Sequence, residues 1–212
     1  MNNSDLLLKK YIGLISGKPK NTKELFAIGF IGKIGVGKST ISQEIAKRFG
    51  LFVASNDAIR RFLNSEGIAG VSPDQELVQR IAEESTRFLF DKKISHVIDA
   101  DLIKFYDVVK NKMESYGAKF YLIHLVCPEE IILRHLKERD QKIEELIKFD
   151  GISDMGKVGN SLSSTEDYLR SAKLHKEIPM PVNFFMTINT SLPVEPQLDE
   201  LRNRLQREGV IE

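Results

Sequence analysis

The sequence predicts an α/β fold: a five-stranded parallel sheet with helices on both faces, a helical lid and a short N-terminal helical extension. Three observations predict it. Short apolar runs alternate along the chain with amphipathic stretches of helical spacing, the pattern of βαβ units. The run Leu25–Ile31 is apolar without interruption, as expected of a parallel strand covered on both faces. A glycine-rich turn joins that run directly to a helix.

The elements follow in order. Residues 5–16 place Leu7, Leu8, Tyr11, Ile12 and Ile15 at helical spacing, and Gly17, Pro19 and Asn21 break the pattern. The first strand spans 25–31. A helix over 38–49 ends at Gly50, a good C′ residue. Residues 51–55 form a second strand and 58–64 a helix. Ser72, Pro73 and Gln75 have the character of an N-cap, a first helical position and a capping box for a helix that runs to Phe90. A third strand lies at 96–99, a helix at 103–116 and a fourth strand at 120–126. Pro128 opens a helix that passes through Arg134 and Arg139. A fifth strand at 184–189 and a helix at 196–207 close the chain. The stretch 141–180 is polar, contains Gly151, Gly156 and Gly159 beside serines, and reads as a lid or loop. The expected division is therefore 1–22 as the extension and 23–212 as the main domain, with the lid over about 139–180.

The 212 residues are enough for one compact domain. With 42% hydrophobic and 29% charged residues, the chain is neither mainly disordered nor built around a membrane span. Cys127 is the sole cysteine, which excludes an internal disulfide and a cysteine-rich zinc site and suits a reduced, cytoplasmic setting. His96, His124, His135 and His175 have no metal spacing and read as structural or surface residues. The net charge of +1 argues against a protein that grips long nucleic acid through its phosphates. Residues 1–50 do carry nine Lys and Arg against three Asp and Glu. That surplus is not confined to one pocket, so a small-molecule partner is favoured over a polynucleotide.

Gly32-Lys33-Ile34-Gly35-Val36-Gly37-Lys38-Ser39 fits the phosphate-binding pattern G-x-x-x-x-G-K-[ST], and it stands between a strand and a helix as that pattern requires. Glycines let the backbone wrap a phosphate, and the start of the 38–49 helix adds the positive end of its dipole. The cofactor-binding set is Gly32, Gly35, Val36, Gly37, Lys38, Ser39 and Thr40. Lys38 is placed to meet the β- and γ-phosphates of ATP, and Ser39 to ligate Mg²⁺. Asn111-Lys112-Met113-Glu114 imitates a guanine-reading motif but lies inside a helix, and no Asp-x-x-Gly occurs, so a GTPase switch is not expected.

Asp57 follows the second strand, where ligands of open α/β sheets bind. It suits either a general base for an attacking hydroxyl or the N-cap of the next helix. Arg60, one helical turn on, can face the same cleft.

The P-loop followed by Ser55-Asn56-Asp57-Ala58-Ile59-Arg60 resembles the small P-loop kinases of the polynucleotide kinase, zeta-toxin and "predicted kinase" group, which have the adenylate-kinase-like P-loop NTPase fold. The segment Val97-Ile98-Asp99-Ala100-Asp101-Leu102 is similar to the group's Asp-x-Thr-Asn-Leu segment, and Cys127-Pro128-Glu129-Glu130 to its Cys-Pro-Glu-Glu. The resemblance covers about 25–139 and, more weakly, the chain to Asn189. It implies an ATP-dependent kinase that transfers the γ-phosphoryl group to a hydroxyl of a small molecule or nucleotide. The alternatives are a polynucleotide 5′-hydroxyl kinase and a non-catalytic ATP-binding regulator. The implied catalytic residues are Lys38, Asp57 as base and Arg139 as lid arginine. Asp57, Arg60 and Asp101 would bind substrate, and Ser39 and Asp99 would hold Mg²⁺. Asp101 replaces the group's Asn, and Phe105-Tyr106 stand where an Arg is usual, so the acceptor pocket has less positive character. No membrane partner is expected, and the oligomeric state is monomer or homodimer.

Overall fold

A computed structural model describes residues 3–15, 22–68, 75–150, 165–181 and 183–212; within α6, side chains are described through Glu138 and at Gln141. Five strands, β1 (Phe26–Ile31), β2 (Phe52–Ala54), β3 (His96–Asp101), β4 (Lys119–Val126) and β5 (Met186–Asn189), form one sheet in the order β2-β3-β1-β4-β5. Every pairing is parallel. The helices are α1 (Asn3–Ile15), α2 (Lys38–Phe49), α3 (Asn56–Ser65), α4 (Gln75–Asp91), α5 (Tyr106–Ser115), α6 (Glu129–Asp150), α7 (Thr165–Glu177) and α8 (Val194–Arg207).

The central strand β1 is buried along its whole length, which explains its unbroken apolar sequence. Its alternate residues serve two cores. Phe26, Ile28 and Phe30 pack with Ile41 and Ile45 of α2 and with Leu198, Leu201 and Leu205 of α8. Ala27 packs on the opposite face with Phe90 and Met113, and Ile31 there with Leu102 and Leu122. Gly29 has no room for a side chain: a Cβ would lie 2.5 Å from Leu102 Cδ1 and 2.7 Å from Phe120 Cζ. A third cluster lies beyond the edge strand β2. There Leu7, Tyr11 and Ile15 of α1 pack with Ile59 and Leu63 of α3 and with Val78 and Ile81 of α4. The stripe at 7, 11 and 15 is the apolar face legible in the sequence.

Several boundaries differ from expectation, each for a local reason. The third strand continues from Asp99 to Asp101 because its register with β1 shifts between Ile28 and Phe30, and Leu102 N–H then donates to the Phe30 carbonyl at 2.9 Å. The following helix starts at Tyr106, since Phe105 N–H closes a turn onto the Leu102 carbonyl at 2.9 Å. The helix after Pro128 runs on to Asp150, into the stretch expected to be a lid or loop. Within the same stretch α7 buries Tyr168 in the main core. Ser72 and Pro73 lie outside the described residues, and Gln75 is the first residue of α4. No helix among the described residues is long and apolar enough to cross a membrane.

Candidate active site

The chain leaves the carboxyl end of β1 and turns through Gly32–Gly37 into α2. Gly35 and Gly37 have φ of 80° and 96°, values that L side chains rarely adopt. Gly35 is also crowded, because a Cβ there would lie 2.9 Å from Ile132 Cγ2 of α6. Gly37 stands at the N-cap position of α2 and no side chain caps the helix. The first N–H groups of α2 therefore face the loop cavity, and with the dipole they form an anion site. Val36 is buried beneath the loop, while Ser39 and Thr40 are exposed on the first turn of α2.

The Lys38 ammonium donates to the Gly32 carbonyl at 2.6 Å and to the Lys33 carbonyl at 2.9 Å. Burial pushes its pKa down, and the carboxylates of Asp101 and Asp99 oppose that shift. Asp99 comes from the end of β3 and accepts a hydrogen bond from the Ser39 hydroxyl at 3.3 Å. Burial raises the Asp99 carboxyl above the ordinary carboxylate value. The Ser39 and Ser42 hydroxyls work against the shift, nearby Asp57 adds to it, and Lys38 lowers it. Lys38, Asp99 and Asp57 thus share one electrostatic environment at the carboxyl end of the sheet, where the parallel strands open a crevice. Among the described residues no three His, Cys, Asp or Glu side chains converge as a metal cage. The Ser39 hydroxyl and the half-buried Asp99 carboxylate are an oxygen pair of the kind that suits Mg²⁺, which takes few protein ligands and is commonly held by substrate phosphates as well.

Asp57 lies in the first turn of α3, but the N-cap position belongs to Ser55. The capping role considered for Asp57 is thereby overturned: the helix begins at Asn56, two residues too early. Asp57 instead accepts a hydrogen bond from the Arg60 guanidinium at 2.8 Å, and Arg60 also donates to Gln75 Oε1 at 3.0 Å. Arg139 lies on the α6 backbone, and its side chain falls outside the described residues. Arg134 is exposed and neighbours Glu138 on its own helix. Arg170 pairs with Asp167 on the surface. Cys127 is half-buried against the main core.

Asp101, expected to bind substrate, has its side chain engaged beside the phosphate loop. Oδ1 accepts from Gly32 N–H at 3.3 Å and from Ile103 N–H at 3.4 Å, and Oδ2 lies 2.8 Å from His175 Nε2. His175, expected to be merely structural or surface, is the partner. Four residues earlier on α7, the Ser171 hydroxyl accepts from Ile34 N–H at 3.1 Å. One helix therefore holds the phosphate loop at two points. Tyr168, Ser171 and His175 recur at intervals of three and four, a single helical face. That stripe was legible in the sequence; its partner loop, more than 130 residues away, was not.

A sequence profile for a family described as AAA domain matches residues 28–150, more than half of the chain. The chain belongs to this AAA domain family. No curated protein sequence matches it. Solved structures share the fold of this AAA domain at low identity. A sugar kinase from a Janibacter species is 19% identical, with a TM-score of 0.50 over 88% of this chain and 98% of its own. A gluconokinase from Sinorhizobium meliloti is 15% identical, with a TM-score of 0.51 over 86% and 93%. A protein of the PezAT chromosomal toxin–antitoxin system of Streptococcus pneumoniae is 17% identical, with a TM-score of 0.53 over 73% and 71%. The domain has the adenylate-kinase-like P-loop fold found in such kinases.

Proposed function

We propose that this AAA domain is an ATP-dependent kinase that phosphorylates a hydroxyl of a small molecule. The convergence of Lys38, Asp99 and Asp57 at the carboxyl end of the sheet supports the reading. ATP binds along Gly32–Thr40, with its phosphates against the loop N–H groups and the start of α2. Lys38 exchanges its carbonyl partners for phosphate oxygens. Ser39 and Asp99 hold Mg²⁺, which shields phosphate charge when bound. Arg139, on the helix whose Ile132 and Leu136 lie beside Gly35, is assigned the neutralising of charge on the transferring group, and Arg60 steadies Asp57. The Asp57 carboxylate takes the proton of the acceptor hydroxyl. As that oxygen bonds to the γ-phosphorus, the bond from the γ-phosphorus to the β,γ-bridging oxygen breaks and ADP leaves. Asp101 orients the loop through Gly32 rather than touching the acceptor.

Two variants test the assignment. Lys38→Ala should weaken ATP binding about a hundredfold by calorimetry, the scale of a lost set of charge-assisted hydrogen bonds. Asp57→Asn should leave ATP affinity within about twofold and lower phosphoryl transfer about 10²–10⁴-fold. Transfer at the wild-type rate in Asp57→Asn would remove Asp57 as the base. Tight ATP binding with no ADP release, whatever acceptor is offered, would instead mark a nucleotide-binding regulator.

A further inference from the structure

Beside Asp99 the crevice widens into a cavity of about 430 Å³, enclosed by α1, α3, α4, α5 and the ends of β2 and β3. Its size falls within the range of about 300–1,000 Å³ that takes one small molecule, and excludes a polymer strand lying wholly inside. Its walls are chiefly apolar: Tyr11, Phe52, Ile59, Ile98, Val109 and Met113 line it. Phe105 stands at the same cavity, a large ring with 57% of its surface exposed among the described residues. The polar lining is mostly uncharged, with the amides of Asn56, Gln75 and Gln79 and the hydroxyls of Ser55 and Thr86.

Charge narrows the choice. Among the described residues the lining has two acids, Asp99 and Glu83, and one base, Lys112. Of the cations on α3 near the cavity, Arg60 is already engaged by Asp57 and Gln75, and Arg61 lies on the Tyr11 side. A phosphate or carboxylate on the acceptor would enter against a net negative lining in which Lys112 is the one basic side chain among the described residues, and its desolvation among apolar walls is costly. A flat apolar ring system would cover Phe105 and fill the aromatic walls, while the amides meet neutral polar edges.

We infer that this cavity is the acceptor site and that it takes an uncharged, hydroxyl-bearing compound with a flat ring system, of nucleoside size. Tyr11, from the N-terminal helix, is one wall, so α1 takes part in acceptor choice. The inference rests on the kinase reading for its chemistry but not for its binding.

The test uses the full chain loaded with Mg²⁺ and a non-hydrolysable ATP analogue. Adenosine, cytidine and thymidine are titrated against their 3′-monophosphates and against gluconate by calorimetry; ADP release is then read with ATP. At least one nucleoside should bind ten times more tightly than its 3′-monophosphate and than gluconate. Phe105→Ala should weaken that nucleoside about tenfold without changing ATP affinity. Gln79→Arg, on the exposed side of the cavity, should narrow the gap to the 3′-monophosphate about tenfold. Nucleoside binding without ADP release would support the cavity assignment and refute the kinase. Tighter binding or faster turnover with the anionic compounds would overturn the inference and leave the kinase standing. No nucleoside binding at millimolar concentration would also overturn it.

Discussion

His96 makes stability depend on pH in a way that can be worked through from the structure. It lies on β3 in register with Ala27 on one side and Phe52 on the other, and is fully buried. Its Nδ1 is 3.1 Å from the Ile94 carbonyl and so carries the proton, while Nε2 has no hydrogen-bond partner among the described residues. The ring meets Phe90 edge-on at 5.1 Å. An imidazolium there would place a charge among apolar groups. Burial accordingly pushes the pKa down from 6.5 to about 4, with the Ile94 hydrogen bond opposing. The folded state then binds fewer protons than the unfolded state between those values. Above about 6.5 both are neutral and His96 adds no pH dependence; as pH falls from there towards 4 the folded state loses stability. At pH 5 the loss relative to pH 7 is on the order of 2 kcal/mol. Urea unfolding of wild type and His96→Leu at pH 7, 6 and 5 isolates the effect, because the other groups titrate in both proteins. Their stability difference should shift in favour of His96→Leu by about 2 kcal/mol between pH 7 and pH 5. Parallel stability curves over that range would refute the reasoning.

Two more outcomes test how the fold supports the loop. His175→Ala and Ser171→Ala each remove one hold of α7 on the loop, so each should weaken ATP binding about five- to thirtyfold by calorimetry, equivalent to about 1–2 kcal/mol. Unchanged affinity in both variants would mean that α7 packs against the loop without ordering it. Gly29→Ala places a methyl group against Leu102 and Phe120 and should lower stability by about 1–3 kcal/mol in urea unfolding. An equally stable variant would show that those side chains move aside freely.

The phosphate loop was legible because its requirements are local. A buried strand, glycines at φ of 80° and 96° and a helix beginning at Lys38 lie within one short stretch of chain. Asp57 and Asp99 were legible to a lesser degree, as carboxylates at the ends of strands. Whether Asp57 capped its helix turned on a boundary shift of two residues, which periodicity does not resolve. The partners of Asp101 were not legible because residue type alone does not say which neighbours a carboxylate meets. Its three partners come from β1's exit, from the next turn and from a helix 74 residues away.

By itself the sequence determined the α/β architecture, the phosphate loop and the apolar stripe on α1, each a consequence of backbone periodicity or of a conformation that only certain residues adopt. The tertiary structure alone decided that His175 and Ser171 brace the loop, that α1 packs on α3 and α4, and that Tyr11, Phe52, Phe105 and Met113 surround one cavity. Those residues come from elements far apart in the chain. Their meeting depends on the strand order β2-β3-β1-β4-β5 and on how the helices pack across it, which no local pattern encodes.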